Sequence, residues 1–435
     1  MINDKYWIAL QSIFGAGNPR AIELALKFND IADLFSASKD EIVKLKCVTP
    51  VELNKLCQFN FDDAKSIIEK CSKNNYKIIT YEDEEYPECF RLISNPPAVI
   101  YVMGELPDMD DNVGIAMVGT RNCTKNGLII ASVLGYRLAE AGAIIVSGGA
   151  KGIDTACSQG AVAVNAKSLI VLGCGLDYPY LLSNRKIRDS VLKNGAIITE
   201  YPPDTPPSKY TFPVRNRLIS ALAKGVVLVE APEKSGALIT VSFALEQGKD
   251  VYVIPGDITN KNYAGNNKLL IDGANAIYTP KDVLVEYIPE YPHRLNTKKA
   301  DVPLNEDRLY INLYNKNINV KEDRYLRKSD NDYKKSEDKN KKKLSNKSAV
   351  AVKSDAMTDT KKAEAECKEF VLPELQYDAD DVVKCVYNCF SNKPITIDNL
   401  VKLSGIKISD VMYAVTDLEI NGVIESLPGG MFKIM

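Results

Sequence analysis

Short apolar runs that each end on a glycine turn constrain this chain more than any other feature. Between Val113 and Ala274 it reads Gly114-Ile-Ala-Met-Val-Gly-Thr-Arg121, then Ala143-Ile-Ile-Val-Ser-Gly-Gly-Ala-Lys-Gly-Ile-Asp154, then Leu169-Ile-Val-Leu-Gly-Cys-Gly175. Stretches of helical character follow the first two turns. Later apolar runs cover Ala196–Glu200, Gly225–Glu230 and Asp250–Pro255. Near-continuous apolar runs suit strands buried on both faces of a parallel sheet. Glycine turns at their carboxyl ends let backbone N–H groups approach a phosphate. The segment Phe212-Pro-Val-Arg215-Asn216-Arg217 is too polar for a core strand and too compact for a linker. The expected ligand is therefore anionic and larger than a mononucleotide.

Composition narrows the class. At 435 residues the chain has room for two or three domains, each with its own core. A net charge of −2 means that any anion-binding surface is a local patch. Ten cysteines stand singly, with no Cys-x-x-Cys pair, and Cys385 and Cys389 lie four apart in a helical pattern, as core thiols would. A single histidine, His293, argues against a zinc site or a Ser-His triad. The amino terminus has no signal-peptide pattern, and no apolar run reaches membrane-spanning length. A reduced, cytoplasmic protein without metal, cofactor or membrane partner is the expectation.

Four segments follow from patterning. Residues 1–75 read as all-helical, with apolar residues at three-to-four spacing. Within them, Ile13-Phe-Gly15-Ala-Gly17-Asn-Pro-Arg20 resembles a helix-hairpin-helix turn, with a second, degenerate turn at Val48-Thr49-Pro50. Few basic residues flank the first turn, so a structural glycine turn is preferred there over a phosphate contact. Residues 76–292 form the α/β domain. It is led by an irregular connector to about residue 112, with Tyr86-Pro87, Pro96-Pro97 and a short strand from Ala98 to Met103. Residues 293–375 read as a charged linker, because Lys334–Lys347 has almost no apolar side chain to bury.

Residues 376–435 refold as a winged helix. Asp380–Phe390 forms one helix. Thr396 caps a second, through Lys402 and closed by Gly405, and Ser409 caps a third through Ile420. Two short strands flank Pro428-Gly429-Gly430. The third helix carries Asp410, Asp417 and Glu419 with no Lys or Arg, the wrong sign for phosphate. A protein-contact module is expected rather than a DNA reader.

The glycine turns lack the usual nucleotide signatures. Gly173-Cys-Gly175 is followed by Leu-Asp-Tyr178, without the third glycine of a dinucleotide fingerprint, and no Walker-type loop is present. What remains is backbone donors plus cations: Gly119, Thr120 and Arg121 after the first run, Ser147, Gly148 and Lys151 after the second, and Arg215, Asn216 and Arg217 further on. Loops at the carboxyl edge of a doubly wound sheet would gather these into one pocket. Arginine forks bind phosphate bidentately, and Phe212 offers a face for a base. A surface ion pair for Arg121, a core role for Phe212, and pairing of Arg215 with Glu200 or Glu230 are the structural alternatives.

At these residues the chain closely resembles the DNA-processing protein A (DprA, or Smf) family. The matching motifs run in order: Val118-Gly-Thr-Arg121, Ser147–Asp154, Leu172–Asp177, Glu200-Tyr-Pro-Pro203, Phe212–Arg217, Ser235–Thr240, Ala244–Gly248 and Ile254-Pro-Gly256. The resemblance implies a Rossmann-like, doubly wound, mainly parallel sheet that binds single-stranded DNA, with a SAM-like helical domain before it and a winged helix after it. It also implies a homodimer that protects incoming DNA and loads RecA recombinase in natural transformation, without catalysis or cofactor. Its phosphate pocket corresponds to Gly119–Arg121, the Ser147-Gly148 turn and Phe212–Arg217. The chain departs from the family at Asp177-Tyr-Pro-Tyr-Leu-Leu-Ser-Asn184-Arg185, where Leu182 replaces a usual lysine and Asn184 and Arg185 are left to reach the phosphate. The main alternative is a Rossmann-like hydrolase of nucleoside monophosphates. Its P-G-G-x-G-T-x-x-E signature is not matched by Ser235-Gly-Ala-Leu-Ile-Thr-Val-Ser-Phe243. A third reading, a winged-helix transcription regulator, is disfavoured by the acidic third helix.

Overall fold

In the computed structural model the glycine-terminated runs become neighbouring strands of one nine-stranded sheet. The strands are β1 (Lys77–Thr80), β2 (Val99–Gly104), β3 (Gly114–Val118), β4 (Ile144–Ser147), β5 (Ser168–Leu172), β6 (Ala196–Thr199), β7 (Gly225–Leu228), β8 (Asp250–Val253) and β9 (Asn275–Ala276). Their order is β1-β2-β6-β5-β4-β3-β7-β8-β9. From β6 through β9 every pairing is parallel, and β2 joins β6 and β1 antiparallel. The chain winds from β3 outward to β6, then returns to lay β7 on the other side of β3. That junction is the switch point at which doubly wound sheets bind ligands.

The structure describes residues 3–179 and 184–310, then residue 379 and the segments 381–391, 394–406, 408–420, 423–427 and 431–434. They fall in two units, Met1–Asn346 and Lys347–Met435. In the first, alternate strand residues feed two cores. Ala116, Val118, Val146 and Val171 pack with Leu218 and Val241 on one face. Ile115, Met117, Ile145 and Val227 pack with Leu134 and Ala156 on the other.

Residues before β1 fold as helices Asp4–Phe14, Arg20–Ala25, Ile31–Ser36, Lys39–Lys44, Pro50–Cys57 and Asp62–Lys73. Their core runs into the sheet edge, where Trp7 and Leu10 share a cluster with Tyr101 and Ile197. Burying side chains of this size contributes about 1.5–3 kcal/mol each. Thr49 and Glu52 form a capping box with proline at the helix start, so Val48-Thr49-Pro50 is a helix cap. Gly17 has φ +75° and donates its N–H to Glu200 Oε1 at 3.0 Å, while the Gln11 amide donates to the Glu200 carbonyl. The glycine turn thus docks on the sheet through a protein carboxylate.

Within the sheet domain three further details differ from the sequence reading. The connector contains β1, hairpinned against β2. The sheet gains the two-residue β9, too short to stand out in sequence. Residues 293–310, expected to begin the linker, pack onto the sheet domain: Ala300 and Asp307 are buried, and Asp307 receives Arg137 Nε at 2.6 Å and Nη2 at 3.1 Å. An ion pair across 170 positions left no local sequence signal. The lysine-rich run lies outside the described residues.

The second unit has helices Asp381–Tyr387, Ile397–Ser404 and Ile408–Ile420, and strands Ile395–Thr396, Ile424–Leu427 and Met431–Ile434. This is a winged helix around Val383, Leu400, Val411 and Ile424. Thr396 caps its helix, and Gly405 closes it in the left-handed conformation at φ 65°. The third helix begins one residue ahead of Ser409, which therefore lies in its first turn. Pro428-Gly429-Gly430 lies outside the described residues. Among the described residues no helix is long and apolar enough to cross a membrane.

Gly17 combines a left-handed φ with a position where a Cβ would lie 2.8 Å from Val214 Cγ1. Gly17→Ala is expected to lower folding stability by about 1–3 kcal/mol in urea denaturation. An unchanged midpoint would contradict this docking.

Candidate nucleic-acid interface

Where β3 and β7 part, their loops leave a cleft of about 410 Å³. The loop after β3 contributes Gly119, Thr120, Arg121 and Asn122. The helix Thr211–Ala221 contributes Phe212, Arg215 and Asn216, and the start of the helix Gly236–Glu246 contributes Lys234, Ser235 and Gly236. Helical geometry explains the second group. Positions 212, 215 and 216 are related as i, i+3 and i+4 and share one face, with Pro213 confined to the first turn, where it is tolerated. Ser235 caps the following helix by accepting the Ala237 N–H at 3.3 Å. That helix directs its positive end at the cleft.

The aromatic ring at the centre is flanked by cations. The Arg121 guanidinium lies 5.2 Å from the Phe212 ring centroid and that of Arg215 lies 5.9 Å away. Arg121 is exposed, whereas Arg215 is buried. Arg215 Nη1 donates to the carbonyls of Gly148, at 2.8 Å, and Val171, tying the ends of β4 and β5 to the helix. Asp154 lies on the cleft floor and accepts the Ala150 N–H at 3.3 Å. Burial raises its carboxyl above the ordinary range, and the nearby Arg215 charge pulls it back. Arg121, Arg215 and Lys234 outnumber this one acid, so the cleft is locally positive in a chain of net charge −2.

Three other expected site residues, Ser147, Gly148 and Asn184, stand behind this surface. Ser147 is buried and its hydroxyl donates to the Met117 carbonyl at 2.9 Å, so it braces the strands. Gly148 gives its carbonyl to Arg215, and a Cβ there would meet Arg215 Nη2 at 2.7 Å. Asn184 donates to the Gly149 carbonyl at 3.1 Å and to Thr155 Oγ1 at 2.9 Å, holding the turn after β4 from below. Lys151 is exposed beyond that turn and does not line the cleft. Leu182 lies outside the described residues.

Arg217 requires a correction. The sequence groups it with Arg215 as a phosphate ligand, yet it is 1% exposed and pairs with Glu200, itself 2% exposed. Two residues along a helix rotate about 200°, which turns Arg217 away from the cleft. It faces Gly17 instead: a Cβ on that glycine would lie 3.3 Å from Arg217 Nε. Asn122, Asp154, Lys234, Ser235 and Gly236 were given no site role in sequence, although polar residues flanking a helix start were a usable signal. Among the described residues no cluster of His, Cys, Asp and Glu is arranged to hold a metal.

Both units have counterparts among known proteins. Residues 77–288 match the family profile of DNA recombination-mediator protein A, and residues 372–430 match the DprA winged helix domain. The DNA processing protein DprA of Bacillus subtilis is 36% identical over 212 residues, covering 49% of this chain and 71% of that protein. The DNA processing protein DprA of Streptococcus pneumoniae is 36% identical over 229 residues, covering 53% and 79%. An X-ray structure of DNA processing protein A from Streptococcus pneumoniae superimposes with TM-score 0.57 at 30% identity, covering 65% of this chain and 97% of that one.

Removing one member of a buried ion pair leaves the other uncompensated. Arg217→Ala is expected to destabilise folding by about 3–5 kcal/mol in chemical denaturation. A loss under about 1 kcal/mol would contradict a buried structural role for Arg217.

Proposed function

The chain belongs to the DNA recombination-mediator protein A family, and from that premise we propose that its cleft binds single-stranded DNA. The carrying observation is the Phe212 ring flanked by Arg121 and Arg215 at the sheet's switch point. Phosphates would meet Arg121 and the amino end of helix Gly236–Glu246, with the Gly119–Thr120 turn shaping the loop, while a base stacks on Phe212. Such contacts read backbone charge and base faces, so binding shows little sequence preference and a marked salt dependence. Ser147, Gly148 and Asn184 support the site through the turn after β4, and the exposed Lys151 beyond it offers a charge to the strand's backbone.

The protein acts as a non-catalytic, cytoplasmic mediator that protects incoming strands and loads RecA recombinase in natural transformation. It works as a homodimer, without a cofactor. The open β9 edge, with the 86% exposed Ile271 four residues before it, supports self-association. The acidic third helix of the winged domain favours a protein contact over DNA.

Arg121→Ala is expected to weaken binding of a labelled single strand by about 1–3 kcal/mol, the loss of one charged contact, in fluorescence anisotropy. Wild-type affinity in that variant would remove the cleft from consideration. Deleting residues 311–435, which leaves the packed segment through residue 310 in place, is expected to keep the affinity within about threefold. A large loss would show that the winged helix or the lysine-rich segment binds DNA directly.

A further inference from the structure

We propose that Glu230 and Asn262 are positioning residues that clip the Arg121 loop into its phosphate-binding geometry before any ligand arrives. This inference rests on the reading of the cleft as a phosphate site. Glu230 stands just past the end of β7 and is fully buried. Among the described residues no lysine or arginine pairs with it, and a buried carboxylate is costly unless its lone pairs are occupied. Here they are occupied by the loop. Thr124 N donates to Oε1 at 2.8 Å, Thr124 Oγ1 to Oε2 at 2.7 Å, and Asn262 Nδ2 to Oε1 at 2.6 Å. The main-chain oxygen of Glu230 also accepts the Thr120 N–H at 2.7 Å.

One residue therefore holds both ends of the loop, Thr120 at its entry and Thr124 at its exit. Asn262 adds a middle anchor, since its Nδ2 also donates to the Asn122 carbonyl at 3.1 Å. Anchors at positions 120, 122 and 124 leave Arg121 between two fixed points. Asn262 is itself placed by a short 3-10 turn, Lys261–Tyr263, which Asn260 caps through the Asn262 N–H at 3.0 Å. Room for the carboxylate comes from Gly127, where any Cβ would overlap Glu230 Oε2.

An acid behind an anion-binding loop opposes the ligand's charge, so its presence calls for a reason in the donors it receives. Three donors converge on the side chain, and a carboxylate only accepts. A loop held in this way does not lose its freedom again when a phosphate binds. Glutamine has the same shape: its oxygen can face Thr124 N and Asn262 while its amide donates to Thr124 Oγ1. Glu230→Gln thus keeps the clip and removes the charge, whereas Glu230→Ala removes the charge and the side-chain anchors at Thr124 and Asn262, leaving only the main-chain bond to Thr120.

The test is fluorescence anisotropy of the full chain with a labelled oligo-dT strand across a potassium chloride series. Glu230→Ala is expected to weaken binding at least fivefold and to lower the salt slope by about 0.7, the value for one single-strand phosphate. Glu230→Gln is expected to restore both. In the Arg121→Ala background, Glu230→Ala is expected to cost nothing further, because it acts through that arginine. If Glu230→Ala does not fold, Asn262→Ala tests the same clip from a half-buried surface loop, with an expected loss of about threefold. Faster hydrogen exchange confined to residues 119–124 is expected beside it. Arg121→Ala without effect would sink the phosphate reading itself. Arg121→Ala with effect, but with wild-type binding in Asn262→Ala and Glu230→Ala or with additive losses, would overturn the positioning role alone.

Discussion

A single main-chain hydrogen bond, from the Thr120 N–H to the Glu230 carbonyl at 2.7 Å, marks where the sheet divides. It extends the pairing of β3 with β7 beyond the strands and holds their two loops together at the base of the cleft. The helices after those loops cover opposite faces of the sheet. Lys125–Glu140 packs with the Ile115 side and Gly236–Glu246 with the Ala116 side. The cleft exists because the winding order reverses at this point. The helix Thr211–Ala221 then crosses the ends of β4 and β5 through Arg215 and brings Phe212 opposite Arg121.

Two buried acids, Glu200 and Glu230, show how the domain combines charge with burial. Glu200 joins the amino-terminal helices to the sheet: Gly17 donates to one carboxylate oxygen and Arg217 to the other. Glu230 has no cationic partner among the described residues and is satisfied by loop donors instead. The first arrangement links two parts of the unit, and the second shapes one loop. Neither lines the cleft, where Arg121, Arg215 and Lys234 outnumber Asp154.

Much of this was readable from sequence, and the exceptions have physical causes. Apolar runs marked β3 through β8, those of β3, β4 and β5 closed by glycine, because strands buried on both faces cannot alternate with polar residues. The caps at Thr396 and Gly405 located the winged helix, since capping chemistry is local. The short β1 and β9 lacked the length to stand out. The arginines at 215 and 217 read as one cluster because the helix around them was not recognised. Its period sends them to opposite sides, one to the cleft and one to Glu200. Glu230 was noted only as a possible partner for arginine, because its donors come from residues more than thirty or a hundred positions away. Contacts of that range leave no mark in a single sequence.

The central claim is that the cleft recognises the backbone and exposed bases of a single strand. The most direct measurement is anisotropy of the full chain with matched single-stranded and duplex oligonucleotides over a salt series. The account predicts tighter binding of the single strand, weakening steeply as salt rises, with little change between base compositions. Equal affinity for the duplex, or binding indifferent to salt, would contradict it.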